Sequence, residues 1–313
     1  MNTLKKIVFT IIFFTLILLV YVLVFSLDAA TVEDADLVLP LVVVLEPADN
    51  AYYLLPTIDE LGGATDRDVT SAFIAASKLP GYQCPTMVNN YSADAEACSL
   101  NDLRDLANLV ADRSGSSWQA GDTTDAVDSA LAILRVAHQL AVSNSMLIEE
   151  LVAIALYDIA ADTLEQLAGK LSPTQNNQVF EALQQYRPDN ATLLNAYRAE
   201  YMVSKDMINQ IGIGNNNLDT GESPGPYRWQ PNRTINKLAS WYRLVLGIEL
   251  ASNKEMQDKF EKIINISPMI LIQPNSTGKI FLAVILESTS KITTRHQQLE
   301  QRYDELQTKF AAE

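Results

Sequence analysis

The sequence predicts an all-α protein: an N-terminal transmembrane helix, then an irregular multi-helix extracytoplasmic domain that ends in a long helix. Three observations predict it. Ile7 to Leu27 is one apolar run of 21 residues with no charge, Gly or Pro. Alanine and leucine are abundant after it, while Val and Ile cluster in only a few places, which favours helix over sheet. Apolar residues in the second third recur at three- and four-residue spacing, the period of a helix face.

A helix of that apolar length spans about 30 Å, the thickness of a bilayer's hydrocarbon core. Lys5 and Lys6 precede the run; Asp28, Glu33, Asp34 and Asp36 follow it. The positive-inside bias then puts Met1 in the cytoplasm and the rest outside. A cleaved secretory signal is the competing reading. Signal cores are shorter, and Phe25-Ser26-Leu27-Asp28 makes a poor cleavage site. The expected location is a bacterial inner membrane, single-pass, with the domain in the periplasm. The expected segments are a cytoplasmic tail (1–6), the anchor (7–27), an acidic and extended juxtamembrane segment (28–63), an acidic helical domain (64–211), a long loop (212–233) and a C-terminal helical region (234–313).

Charge is unevenly placed. Between Asp28 and Ser172 there are 23 acidic against 6 basic residues, whereas Pro173 to Glu313 balances 15 against 15. An acidic first half repels phosphate backbones, so no nucleic-acid partner is expected. Cys84 and Cys98 share a turn-rich stretch outside the membrane, and an even count there favours a disulfide. Such a loop stabilises by about 3 kcal/mol in the chain-entropy model. No His lies near either cysteine and the spacing is not that of a zinc knuckle, so no metal is expected.

The elements follow in order. Leu37 to Leu45 is β-branched and broken by Pro40, and reads as an extended segment packed on the domain or as an isolated strand. Asn50 opens a short helical stretch to about Leu61, closed by Gly62-Gly63. Helical spacing covers Thr65 to Leu79. Ser99 is placed to cap a helix to about Asp112, with Ser114-Gly115-Ser116-Ser117 as a linker. Asp122-Thr123 caps a helix to about Val142, and a second runs to about Lys170; the short break between them suggests an antiparallel helical hairpin, with a kinked continuous helix as the alternative. Ser172-Pro173 and Pro188-Asp189 start two more. Gly212 to Arg233 is a loop, Thr234 to Gly247 and Ser252 to Ile264 are helical, and Ser276 to about Ala311 is the final helix.

That last helix carries Ile292, His296, Leu299, Tyr303, Leu306 and Phe310 at 4-3-4-3-4 spacing, a heptad seam. The seam serves either packing on this domain or a homodimer with a second chain; the first is favoured.

Catalytic motifs are weak. Asp219-Thr220-Gly221 occurs once and in a polar loop, unlike an aspartic-protease pair. Ser288-Thr289-Ser290-Lys291 lacks the partner boxes of penicillin-binding enzymes. His138 and His296 are the two histidines, neither at zincin spacing, and no cofactor motif is present. Two stretches stand out instead. Tyr227-Arg228-Trp229-Gln230-Pro231-Asn232-Arg233-Thr234 joins aromatics and arginines just before a helix. Asn275-Ser276-Thr277-Gly278-Lys279 sits at another helix start. These stretches read as helix capping and loop anchoring, with Trp229 as a buried plug; Arg228, Trp229 and Arg233 are otherwise the candidate partner surface, since Arg and Trp are enriched at binding hot spots.

With one anchor, an Ala/Leu-rich helical domain, the aromatic-x-x-Pro-Asn-Arg-Thr stretch and the late Asn-x-x-Gly-Lys, the chain resembles uncharacterised single-pass bacterial envelope proteins. The resemblance covers most of the chain and implies the layout, not an activity. The expected role is non-enzymatic, a scaffold or interaction module for another envelope protein. A membrane-tethered periplasmic hydrolase is the alternative.

Overall fold

Capping chemistry and apolar spacing place most of the helices. The computed structural model describes residues 13–20, 27–55, 66–86, 88–92, 98, 100–143, 146–213, 229–247 and 275–311. Residues 13–20 of the apolar run are helical. Among the described residues no helix is long and apolar enough to cross a membrane; residues 7–12 and 21–26 of the run lie outside them. So do the expected helix at Ser252–Ile264, most of the loop from Gly212, Ser99 and Arg228.

The protein is all-α. Among the described residues after the apolar run, its helices are α1 (Asp66–Ala76), α2 (Asn101–Gln119), α3 (Thr123–Ala141), α4 (Leu147–Leu167), α5 (Pro173–Gln185), α6 (Asn190–Ile213), α7 (Pro231–Gly247) and α8 (Ser276–Ala311). Three 3-10 turns precede them, at Ala35–Leu37, Pro47–Asp49 and Ala51–Tyr53. The described residues hold no strand; one isolated bridge joins Asn50 to Gly81. Asp122 caps α3 by accepting from the Asp125 amide at 3.1 Å, and Ser172 with Gln175 forms a capping box at α5, which satisfies amides that have no helical partner.

Two expectations need correction. Ser114–Ser117 is not a linker, because α2 runs through it to Gln119. Its serines find acceptors that keep the helix intact: Ser114 Oγ donates to Ala126 O, Ser116 Oγ to Asp112 O, and Ser117 Oγ to Asp125 Oδ2. Second, α7 starts at Pro231, three residues before Thr234, since a Pro in the first turn lacks only an amide that would be unpaired anyway.

The chain forms two compact units that interleave along the sequence. Unit 1 is Met1–Leu37 with Val203–Ser290; unit 2 is Val38–Met202 with Lys291–Glu313. Unit 2 centres on the α3–α4 hairpin, against which α2 packs. The α3 positions Ala126, Ala130, Ile133, Leu134, Ala137 and Leu140 are all fully buried. Gln139 on α3 closes the end of α1, its amide donating to the carbonyls of Ser77 and Leu79 at 3.2 and 2.6 Å. In unit 1, α7 presents Ile235, Leu238, Trp241, Tyr242 and Val245 to the core.

Candidate functional site

Unit 1 joins the two stretches that stand out in the sequence. Asn275 is 3 % exposed and sits in the left-handed region at φ 56°. Its Oδ1 accepts from the Gln230 amide at 3.0 Å and the Thr234 hydroxyl at 3.2 Å, and its Nδ2 donates to Thr234 Oγ1 at 3.0 Å. Gln230 O, 2.9 Å from Thr234 Oγ1, shares that single hydroxyl proton with Asn275. Gly278 is needed where the two helix starts meet: a Cβ there would lie 2.1 Å from Thr234 Oγ1 and 2.5 Å from Asn275 Oδ1. Trp229 and Gln230 are buried beside this knot. Burial and the neighbouring Lys237 push the Lys279 ammonium down.

The segment after the apolar run is strapped along α7. The Asp28 carboxylate accepts from the Asn232 and Arg233 amides at 2.8 and 3.0 Å, filling the anion-seeking first turn of α7. Asn232 Nδ2 donates to Ala29 O, and Asn236 bonds both Ala30 O and the Val32 amide. Arg243 grips Asp36 with two bonds of 2.7 Å and also reaches Glu33 O. Lys205 on α6 pairs with Asp34 at 2.6 Å. Leu37 ends the strap, 1 % exposed. The acidic residues that suggested a membrane topology are therefore also the ones that bind the strap down.

Unit 2 contains the heptad seam. Ile292, His296, Leu299, Tyr303, Leu306 and Phe310 are all buried within this chain. Two of them meet α4, in parallel register. His296 faces Glu150, and seven residues on in both helices the Tyr303 hydroxyl donates to Tyr157 O at 2.9 Å. The two tyrosine rings meet edge to face, centroids 5.5 Å apart. A basic stripe flanks the seam: Arg295 pairs with Asp158, Arg302 with Asp162 and Glu165, and Lys309 with Glu165. This is the flanking charge pattern of a coiled coil, with both helices from one chain. Lys309 and Arg302 hold the Glu165 carboxyl below its ordinary range.

Sequence reasoning placed the seam but missed its partner. The missed signal is the seven-residue repeat of Arg295, Arg302 and Lys309 opposite the carboxylates of α4. It also missed Glu150. That carboxyl is 1 % exposed and lies 3.5 Å from His296 Nε2. Burial pushes Glu150 up to about 8, and burial pushes His296 down to about 4.

The other expected residues fall elsewhere. Cys84 and Cys98 are disulfide-bonded, Cα atoms 6.1 Å apart. Gln83 and Asn89, in and beside that loop, hold the backbone of Val42, Val43 and Leu45 through side-chain amides. Leu41, Val43 and Val44 remain exposed, so only part of the Leu37–Leu45 segment packs on the domain. Trp229 is 4 % exposed and Arg233 half-buried. His138 is half-buried, its Nδ1 3.4 Å from the Tyr157 hydroxyl. An open depression of about 470 Å³ lies where Arg113 grips Asp125 and Thr70. Among the described residues, no group of three His, Cys, Asp or Glu side chains could hold a metal ion. No protein-family model, curated protein or solved structure matches the chain.

Proposed function

We propose that this chain is a membrane-anchored extracytoplasmic scaffold, or interaction module, of the bacterial inner membrane. Ile7–Leu27 is its single-pass anchor, the N-terminus is cytoplasmic and the domain is periplasmic. The observation that carries this reading is the strap. Residues that begin immediately after the apolar run are bonded to α7 from its first turn to Arg243. A free ten-residue tether would wander by roughly 17 Å. The strap removes that slack and gives unit 1 a fixed attitude to whatever holds residues 7–27. Fixed attitude serves an assembly platform more than an enzyme that must reach its substrate.

The burial of Trp229, Gln230, Thr234 and Asn275 adds support, because these residues are spent on joining α7 to α8. The hydrolase alternative would need convergent polar groups open to a substrate; the Glu150–His296 pair is closed to solvent. The partner is another envelope protein. A second copy docking through the C-terminal seam is disfavoured, since this chain already covers that seam. The test has two readings. A reporter fused after Glu313 should be active only outside the cytoplasm, and the detergent-extracted protein should carry a stoichiometric envelope partner. Cytoplasmic reporter activity, or a released chain starting near Thr31, would overturn the anchor; a partner-free protein with hydrolytic turnover would overturn the scaffold.

A further inference from the structure

Glu150 and His296 face each other from α4 and α8 inside the seam, at 3.5 Å and 2 % side-chain exposure or less. Glu150 Oε2 and both ring nitrogens of His296 have no hydrogen-bond partner. The groups acting on the pair come from each helix around it. On α4, Glu149 is turned to the Met146 amide, and Tyr157 feels the Glu150 charge. From α6 and the residue before it come Thr192, which bonds Glu150, and Tyr197 and Asp189. On α8, Tyr197 is answered by Thr293, and Tyr303 lies one heptad on. None of these is a cation. A carboxylate formed here would be buried with only the Thr192 bond to offset it, which is costly.

We propose that docking of the second half of α8 onto α4 is proton-controlled, with Glu150 as the sensing group and His296 as its neutral neighbour. The seam is closed while Glu150 keeps its proton and loosens when alkali removes it. The direction follows from both residues. Glu150 moves from an ordinary 4.5 to about 8 in the folded chain, so its contribution is complete below 4.5 and is lost as pH rises to 8. His296 moves from 6.5 to about 4, so its contribution is complete above 6.5 and is lost as pH falls to 4. Between 4.5 and 6.5 the two slopes oppose each other. Above 6.5 Glu150 dominates, and opening grows roughly tenfold in all by pH 8, because the folded carboxyl itself begins to titrate there.

The test is hydrogen exchange of residues 292–310 in the full chain in detergent, corrected for the intrinsic pH dependence of exchange. The opening constant should rise roughly tenfold between pH 6.5 and 8 in the native chain and show no rise in Glu150→Gln. A level profile in the native chain, or the same rise in both, overturns the proposal. Should Glu150→Gln fail to fold, infrared spectra of the native chain decide. A protonated glutamic acid band should vanish between pH 7 and 9, and should do so equally in Glu200→Gln, which removes the half-buried carboxyl bonded at Leu147. Absence of that band at pH 7, or its loss in Glu200→Gln, overturns it.

Discussion

The two units solve the same problem, holding a distant segment onto a helix, by opposite means. In unit 1 the strap from Asp28 to Leu37 lies on α7 through polar bonds, most of them at the surface. In unit 2 the second half of α8 buries six seam residues, His296 and Tyr303 of them against α4, with ion pairs to α4 along the flank. Exposed ion pairs such as Arg243–Asp36 contribute at most about 1 kcal/mol each, and a helix cap such as Asp28 about 1 kcal/mol. Burying a large apolar side chain contributes about 1.5–3 kcal/mol each. The strap is therefore positioned precisely but opens first, whereas the α8 seam opens only with much of unit 2.

Charging the seam should break the comparison hardest. Leu299→Asp with Leu306→Asp puts two carboxylates at positions 2 % and 0 % exposed. A loss of more than about 4 kcal/mol in urea unfolding is expected, with the oligomeric state unchanged. A native dimer that becomes a folded monomer in this variant would show instead that the seam pairs two chains. Next in size is Gly278→Ala in the knot of unit 1. Its Cβ would clash with Thr234 and Asn275 side chains held by mutual hydrogen bonds, so about 3 kcal/mol is expected. Trp229 and Trp241 lie in unit 1, and their fluorescence should report the loss at lower urea than helix content does.

Periodicity made much of this legible. Asp122 and Ser172 announce their helices because a capping side chain is a local device, and the final helix from Ser276 to Ala311 follows from its spacing. The seam is legible as a face, because burial of a heptad requires a partner surface. Which surface is not, since Glu150 and Tyr157 lie about 146 residues away and no local rule connects them. The serines of α2 mislead for a related reason. Ser-Gly-Ser-Ser reads as a linker until tertiary acceptors on α3 are known. The two stretches around Trp229 and Asn275 were visible as unusual composition. That they meet each other was not, because the close approach at Gly278 is a property of two helices together.

The most direct test of the scaffold reading is whether the strap holds in the membrane-embedded chain. Amide exchange at Val32 and Leu37, measured with the full protein in nanodiscs, addresses it. Each amide has a bonded acceptor, Asn236 Oδ1 and Asp34 O. Strap contacts of a few kcal/mol in sum should slow exchange at least tenfold below the free-peptide rate. Asp28→Ala together with Arg243→Ala should restore most of that rate without unfolding unit 2. Free-peptide exchange in the native chain would contradict the strap, and with it the fixed attachment on which the scaffold reading rests.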